Sequence, residues 1–271
     1  MTRILHLSDL HYGRTDPDLE DPLLDRIAAL SPDLVVVSGD LTQRARHGQF
    51  SRARAFLDRI TAPVLTVPGN HDTPLDNLFM RFFKPFSRYR KHITRDLEPR
   101  FHGKGTSVFG INSVNPYAWQ TGRLKGGTLR RLGRAIEQGE NGHKSGINIA
   151  VLHHPLETPP ERGRPQMRGA AGALRDLAGA GTDVVLSGHL HNAHWAPFTS
   201  APGLLFVQAG TGLSTRLRGE ENTFNMLDCA PGRVEITAWA AGSPETPHSF
   251  EIRDQATFLR EDLGWKRQTL G

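Results

Sequence analysis

Residues 34–40 read Leu-Val-Val-Val-Ser-Gly-Asp, an apolar and largely β-branched run that ends in Gly39 and a carboxylate, Asp40. A short run of this kind is typical of a strand buried on both faces, in a sheet that other layers cover. A carboxylate at the carboxyl end of such a strand lies where open α/β sheets bind ligands. Asp40 has two oxygens and could bridge two cations, so we expect the rest of the chain to bring further ligands to it.

The segments around this run alternate between strands and helices. Apolar runs predict further strands over residues 4–7, 64–67, 107–112, 147–152 and 184–186, and apolar periodicity predicts helices over residues 21–30, 49–60, 128–138 and 167–178. A polar turn is expected over residues 140–145, and an antiparallel run of strands over residues 204–207, 224–227 and 234–239. This alternation favours an α/β fold with right-handed crossovers.

Length and composition favour an ordinary globular protein. The chain has 271 residues, enough for one large core with a small cap, and its apolar and charged fractions are unremarkable. Its single cysteine, Cys229, excludes a disulfide within the chain and is compatible with a reducing compartment. We find no apolar run long enough for a membrane span and no signal peptide, and we therefore expect a cytoplasmic protein.

Positive charge is concentrated in residues 74–104. Eight basic residues stand there against three acidic ones, the same excess as the +5 of the whole chain. The basic residues are interleaved with a helical series of apolar and aromatic side chains: Leu78, Phe79, Phe82, Phe83, Phe86 and Tyr89. A packed helix with a solvated basic face explains this pattern. A cap over a binding site, or a surface for lipid or nucleotide, explains it equally well.

Polar clusters follow several of the predicted strands. The first strand is followed by Asp9 and His11, the strand at residue 64 by Asn70 and His71, and the strand at residue 147 by His153. The strand at residue 184 ends in Gly-His-Leu-His, which contains His189 and His191. One such strand end arises easily by chance, but several at one sheet edge indicate a common site.

These motifs, in this order and context, resemble the calcineurin-like metallophosphoesterases, in particular the small bacterial phosphodiesterases. The resemblance runs from about residue 5 to about residue 191. It implies a four-layer αββα fold, in which a two-sheet β-sandwich is flanked by helices and carries a dinuclear metal site at the sheet edge. We expect one domain over residues 1–242, with residues 74–104 as a cap insert, and a tail over residues 243–271 that packs on the core.

The resemblance also implies roles for individual residues. Asp9, His11 and His191 would hold one metal ion, Asn70, His153 and His189 would hold the other, and Asp40 would bridge them. Carboxylate and imidazole ligands suit manganese, iron, zinc or cobalt. A hydroxide shared by the two ions would attack phosphorus in line. His71 would contact the phosphate and protonate the leaving oxygen.

One position departs from the family's protein phosphatases. They carry an aspartate three residues after the bridging aspartate, where it orients the acid histidine, and this chain has Gln43 there. An amide cannot raise the basicity of His71 as a carboxylate would. The departure disfavours a protein phosphatase and places the chain nearer the phosphodiesterases.

Several substrates stay open. A small phosphodiester, such as a cyclic nucleotide or a glycerophosphodiester, fits the short chain. A lipid-linked diphosphate of the UDP-diacylglucosamine type, with peripheral contact to an anionic membrane, fits the basic and aromatic segment. A DNA nuclease fits the net charge, although the basic residues lie in one short segment rather than along a groove. A scaffold without metals is disfavoured, because all seven ligand positions are filled.

Overall fold

The computed structural model describes residues 1–138, 146–158, 166–217, 219–243 and 246–268. The strands are β1 Thr2–Leu7, β2 Leu34–Val37, β3 Val64–Thr66, β4 Arg100–Gly103, β5 Thr106–Gly110, β6 Gly122–Arg123, β7 Ile147–Val151, β8 Met167–Arg168, β9 Val184–Ser187, β10 His194–Phe198, β11 Ala201–Gln208, β12 Thr223–Ala230, β13 Arg233–Ser243, β14 Thr246–Glu261 and β15 Gly264–Arg267. The helices are α1 Glu20–Leu30, α2 His47–Asp58, α3 Leu78–Phe83, α4 Ser87–His92, α5 Gly126–Gln138 and α6 Ala170–Gly179. The turn expected over residues 140–145 lies outside the described residues.

Two large sheets form the centre of the molecule. The first has the strand order β15-β14-β13-β12-β1-β2-β3, and the second has the order β10-β11-β9-β7-β5-β4. In the first sheet β1, β2 and β3 are parallel neighbours, and in the second β5, β7, β9 and β11 are parallel neighbours. The carboxyl ends of parallel strands meet at one edge, so each sheet offers one edge for a site.

β2 shows why its sequence is apolar throughout. All four of its residues are buried. Leu34 and Val36 belong to the apolar cluster between the two sheets, whereas Val35 and Val37 belong to the cluster that α1 and α2 cover. Alternate side chains of a strand point to opposite faces, so a strand between two layers has no polar face.

A third apolar cluster lies between the second sheet and the helices α5 and α6. The layers therefore run helices, sheet, sheet, helices. This arrangement confirms the expected αββα sandwich.

The prediction that residues 204–207 form an antiparallel run with the two following strands was wrong. β11 pairs parallel with β9 in the second sheet, whereas β12 and β13 are antiparallel strands of the first sheet. Residues 209–222 thus carry the chain from one sheet to the other. The helix expected over residues 167–178 also begins later, because Met167 and Arg168 form the short strand β8 beside β6.

The cap segment is two helices rather than one. α3 ends at Phe83 and α4 begins at Ser87, with Pro85 between them. Proline has no N–H to donate and disfavours helix at the preceding residue, which explains the break. Tyr89 on α4 is fully buried and bonds to Oγ1 of Thr66 at 2.7 Å.

The side chains of α3 are distributed differently. Four residues of this helix are exposed, together with two aromatic residues of the loop before β6: Leu78, Phe79, Phe82, Phe83, Tyr117 and Trp119. We call these six residues the aromatic rim. The rings of Phe82 and Tyr117 stack with centroids 5.6 Å apart.

The last described residues lie in the first sheet as β14 and β15, where β14 pairs along most of its length with β13. The division into a domain over residues 1–242 and a tail stays a prediction. None of the helices in the described part of the chain is both long and apolar enough to span a bilayer.

Candidate metal centre

The centre is built where the carboxyl ends of the parallel strands of both sheets approach each other. The loops after β1, β2 and β3 carry Asp9 and His11, then Asp40, then Asn70. The loops after β7 and β9 carry the remaining histidines, which are His153, His189 and His191. The structure thus brings together all seven side chains that the sequence nominated as metal ligands.

The first group consists of Asp9, His11 and His191. Nε2 of His11 lies 3.2 Å from Nε2 of His191 and 3.4 Å from Oδ1 of Asp9, and Nε2 of His191 lies 3.2 Å from the same Oδ1. Ligand atoms that each lie about 2.1 Å from one ion are about 3.0–3.4 Å apart at octahedral or tetrahedral angles. The triangle therefore has the size of a metal site.

The second group has the same spacing. Nε2 of His153 lies 3.1 Å from Oδ1 of Asn70, 3.2 Å from Nδ1 of His189 and 3.3 Å from Oδ2 of Asp40. The same Oδ2 lies 4.0 Å from Nε2 of His11, in the first group. One oxygen of Asp40 therefore adjoins both groups, as a bridging ligand must.

The donor chemistry also fits a metal. Oδ1 of Asp9 is buried without a hydrogen-bond partner. The outer nitrogen of His153 lies 2.8 Å from the carbonyl of Ser38, that of His191 lies 3.2 Å from the carbonyl of Arg216, and that of His189 lies 2.9 Å from Oε1 of Gln166. An outer N–H that donates to an oxygen leaves the lone pair of the inner nitrogen facing the centre.

The backbone of the centre is strained. Five of the seven nominated ligands have positive φ: Asp9 (53°), His11 (52°), Asp40 (51°), His189 (75°) and His191 (64°). Each such residue costs about 1–3 kcal/mol and persists only where its surroundings hold it. Here the loops hold each other, because the N–H of Asp9 donates to the carbonyl of Gly39 and the N–H of His11 donates to that of Asp40.

The charges of the buried groups are coupled. Burial opposes ionisation of Asp40, but His153 and His71 outweigh it and hold the pKa of this carboxyl below its usual range. Burial alone would lower the pKa of His153, but the carboxylate of Asp40 raises it to about 9. The two side chains therefore form an ion pair wherever no other cation compensates Asp40.

His71 lies beside the two groups rather than in them. The centroids of the His71 and His11 rings lie 5.0 Å apart in an edge-to-face arrangement. The backbone N–H of His71 donates to Oδ1 of Asp40 at 2.8 Å. Nδ1 lies 2.8 Å from the carbonyl of Gln43, so a main-chain oxygen orients the ring where the phosphatases use an aspartate. Burial lowers the pKa of His71.

Asp72 is a residue whose role the sequence did not indicate, although it belongs to the Gly-Asn-His-Asp motif. It is fully buried and accepts hydrogen bonds from the N–H groups of Leu41, Thr42 and Gly69 and from the hydroxyl of Thr42. Burial and the nearby charge of Asp40 raise its pKa to about 7, against the effect of these bonds. Asp72 ties the loop after β2 to the loop after β3.

Arg216 was also missed. Its carbonyl contacts His191, and Nη1 of its guanidinium lies 3.4 Å from Nε2 of His71. The sequence feature that could have indicated Arg216 was the Gly-Thr-Gly-Leu-Ser run that follows β11. That run reaches the site because β11 is parallel to β9 and ends at the same edge.

Two other histidines near the centre have structural partners. His6 is buried and its Nε2 lies 2.9 Å from Oγ of Ser38, the residue whose carbonyl contacts His153. His154 is buried, and its Nδ1 lies 2.9 Å from Oγ of Ser113. Burial holds the pKa of His154 well below its usual range, so its ring packs as a neutral group beside His189.

A known protein family matches most of this chain. The sequence profile described as "Calcineurin-like phosphoesterase" matches residues 2–193, which is more than half of the chain. The chain therefore belongs to the calcineurin-like phosphoesterase family, and it is a phosphoesterase with candidate His/Asp metal-binding groups.

The chain is similar to several characterised or named proteins. The chain is 27% identical over 246 residues to a probable cyclic nucleotide phosphodiesterase of Synechococcus sp., a match that covers 88% of this chain and 76% of the relative. It is 32% identical over 114 residues to the UDP-2,3-diacylglucosamine pyrophosphatase of Chlamydia trachomatis, with 41% of this chain and 29% of the relative covered. Among solved structures, a purple acid phosphatase from yellow lupin (Lupinus luteus) superposes with a TM-score of 0.67 at 14% identity, over 100% of this chain and 57% of that chain. The last likeness concerns the fold alone.

Proposed function

We propose that this protein hydrolyses a phosphodiester with the help of two divalent metal ions. The observation that supports this proposal most directly is the pair of ligand groups that share Oδ2 of Asp40. Asp9, His11 and His191 would hold one ion, and Asn70, His153 and His189 would hold the other. Manganese, iron, zinc and cobalt all suit this donor set. The ions would supply Lewis acidity and an activated water.

The residues around the ions would divide the remaining work. Asp40 and Asp9 would hold the ions in place from the first sheet. In its imidazolium form, with Nδ1–H on the carbonyl of Gln43, His71 would contact the phosphate and give the proton of Nε2 to the leaving oxygen. The carbonyl of Gln43 would keep the His71 ring in position through Nδ1.

A phosphodiester is the preferred substrate class for two reasons. The cyanobacterial relative that covers most of this chain is named as a probable cyclic nucleotide phosphodiesterase. In addition, Gln43 stands where the protein phosphatases of the family have an aspartate. A cyclic nucleotide or a glycerophosphodiester are the small diesters that we propose first.

The alternatives differ in how well the exposed surface supports them. The aromatic rim would suit the apolar part of a lipid-linked diphosphate, and the pyrophosphatase of Chlamydia trachomatis matches part of the chain. A nuclease is less well supported, because some basic side chains of residues 74–104 form hydrogen bonds within the protein and are not available to bind DNA. Arg81 is 2% exposed and donates to the carbonyl of Ala118, and Arg88 donates to the carbonyl of Ala45.

A metal titration with two chromogenic substrates tests the proposal. Metal analysis of the reconstituted protein should give two equivalents per chain. With manganese, bis(p-nitrophenyl) phosphate should be hydrolysed faster than p-nitrophenyl phosphate. Asp40→Ala should lose both ions and the activity, whereas His194→Ala, which changes an exposed histidine on β10, should keep both. Full activity at one equivalent or less would disprove the dinuclear site.

A further inference from the structure

A basic cavity adjoins His71. It measures about 280 Å³ and is lined by Arg14, Gln43, Arg44, His71, Leu75 and Arg216. We call Arg14, Arg44 and Arg216 the arginine pocket. Nη1 of Arg216 lies 3.4 Å from Nε2 of His71, so the pocket begins directly beside the nitrogen that would act as the acid.

In the part of the chain that the structure describes, the three guanidinium groups have no carboxylate within 4.0 Å. Some other arginines pair with carboxylates: Arg59 lies 2.6 Å from Asp21, and Arg131 lies 2.6 Å from Glu98. Within the described residues, no carboxylate pairs with any member of the arginine pocket. Three cations around one cavity repel each other, and an anion bound among them removes that repulsion.

The main chain fixes Arg14 against residues 214 and 215, and it fixes Arg216 against the proposed ligand His191. The carbonyl of Arg14 accepts from the N–H of Thr215 at 2.7 Å and from Oγ of Ser214 at 3.2 Å. The carbonyl of Arg216 contacts Nδ1 of His191 at 3.2 Å. The pocket therefore has a defined position relative to the proposed ion ligands, which suits recognition of one particular substrate group.

We propose that the arginine pocket binds a second phosphate of the substrate, so that a diphosphate diester is preferred over the diesters with one phosphate that the proposed function names first. This inference rests on the proposed function and adds the substrate class to it. The reacting phosphate would lie at the ion ligands, and the group beyond His71 would be the leaving group. A diester with one phosphate carries a single negative charge and leaves the pocket uncompensated. Guanidinium groups bind phosphate oxygens in pairs, which suits a leaving phosphate.

The reaction is a hydrolysis in which all atoms are conserved. Water oxygen forms a bond to one phosphorus, and the bond between that phosphorus and the bridging oxygen breaks. The bridging oxygen leaves with the second phosphate, which the arginine pocket holds. One water proton stays on each product, so the two products are two phosphate monoesters.

Two dinucleosides with one and two bridging phosphates test this inference, and because they also differ in linkage and leaving group, the deciding result is the change of their rate ratio in arginine variants. Diadenosine 5′,5″-diphosphate has two phosphates, and adenylyl-(3′→5′)-adenosine has one. With manganese bound, wild-type protein should hydrolyse the diphosphate with a kcat/KM at least about tenfold higher. Arg44→Gln should lower this ratio about tenfold, mainly through a higher KM for the diphosphate, because one charged contact to phosphate is lost.

The controls separate recognition from folding. Arg44 is exposed, so its replacement removes no buried contact, and thermal unfolding should be unchanged. Arg14→Gln provides a second variant at the opposite side of the cavity and should lower the same ratio. Arg134→Gln removes an equal charge from an exposed position on α5 and should leave the ratio within twofold.

The outcomes distinguish this inference from the proposed function. If wild-type protein hydrolyses both dinucleosides equally well, or if Arg44→Gln slows both to the same degree, the arginine pocket does not select a second phosphate. In that case the phosphodiesterase proposal still stands. If neither dinucleoside nor bis(p-nitrophenyl) phosphate is hydrolysed with any of the four metals, both proposals are wrong.

Discussion

At the scale of single residues, main-chain atoms orient the side chains of the centre. The carbonyl of Ser38 contacts His153, that of Arg216 contacts His191 and that of Gln43 contacts His71. A carbonyl in a packed loop has fewer conformations than a long polar side chain, so it fixes the ring at a lower cost in entropy. Asp72 extends this support to the loops themselves.

We expect His71→Ala to lower turnover by about 10²–10⁴-fold, the usual contribution of a general acid. Metal content should stay near two equivalents, because His71 lies beside the ligand groups rather than within them. The rate should be measured on a diester with a poor leaving group, where protonation matters most. His194→Ala is the control, and wild-type turnover by His71→Ala on this substrate would disprove the acid role.

Replacement of Asp72 by alanine should lower the free energy of unfolding by about 3 kcal/mol or more. Three N–H groups and one hydroxyl would lose their acceptor, and each buried group left unpaired costs about 1–3 kcal/mol. Denaturant unfolding measures the loss. Asp25→Ala, on the exposed face of α1, should change stability by no more than about 0.5 kcal/mol. Equal stability of both variants would show that Asp72 does not tie the loops.

At the scale of elements, the loops after the strands approach so closely that two motif positions have no room for a side chain. A Cβ added at Gly69 would lie 2.1 Å from Oδ1 of Asp40. A Cβ at Gly188 would lie 1.8 Å from Oγ of Ser8. The glycines of the Gly-Asn-His-Asp and Gly-His-Leu-His motifs therefore let neighbouring loops bring their ligands together.

Gly69→Ala should reduce metal binding by displacing Asp40. The added methyl group cannot be accommodated without moving the carboxylate that adjoins both ligand groups. Metal analysis after dialysis should give fewer than two equivalents. The matched control is Gly48→Ala in α2, where a Cβ meets nothing within 4 Å, and it should bind both ions. Two equivalents in Gly69→Ala would contradict the close packing of these loops.

Four residues of the aromatic rim lie within residues 74–104, and we propose that their exposed side chains help to select the substrate. Phe79 is 64% exposed and Phe83 is 71% exposed, so the double variant Phe79→Ser, Phe83→Ser should keep its melting temperature. We propose that it raises the KM for octyl p-nitrophenyl phosphate severalfold and leaves the KM for methyl p-nitrophenyl phosphate unchanged, because an octyl chain has apolar surface to bury against the rim and a methyl group has almost none. Equal effects on both esters would leave the rim without a role in selection.

The second helix of residues 74–104, α4, packs against the rest of the protein. Tyr89→Ala should destabilise the protein by about 3–5 kcal/mol, the usual cost of deleting a buried aromatic side chain. Denaturant unfolding checks this value. Arg88 donates to the carbonyl of Ala45, so charge reversal at this position would disturb the packing of α4 as well as the surface charge.

At the scale of the whole molecule, the centre joins the two sheets. Asp9, His11, Asp40 and Asn70 come from the first sheet, and the three other nominated ligands come from the second. An ion held by both groups of loops binds the folded protein and not the unfolded chain. Binding of the proposed ions would therefore add to the stability of the sandwich as a unit.

Added manganese should raise the melting temperature, and chelation should lower it. At a free ion concentration of 100 times the dissociation constant, one site contributes about 2.7 kcal/mol. In a protein of this size we expect a shift of about 5–10 °C. Differential scanning calorimetry measures the shift. Asp40→Ala should show none, and an equal shift in this variant would place the ions elsewhere.

The sequence predicted the parts of the fold and the site that depend on local pattern. The strands with polar ends, the helices between them and the seven nominated ligands could all be found because each is marked by a few adjacent residues. Arg216 and Asp72 could not be found in this way. The importance of Arg216 follows from the pairing of β11 with β9, and that of Asp72 follows from two N–H groups on the loop after β2. Both depend on which distant segments meet.

The carbonyl contacts of Gln43 and Arg216 have a consequence for protein engineering. The main chain at these two positions orients His71 and His191, so their side chains can be exchanged while the orienting oxygens stay in place. Both side chains line the same cavity. A saturation library at positions 43 and 216 would therefore vary the substrate range and the side-chain groups around the His71 ring together, while the orienting carbonyls and the nominated ion ligands are conserved.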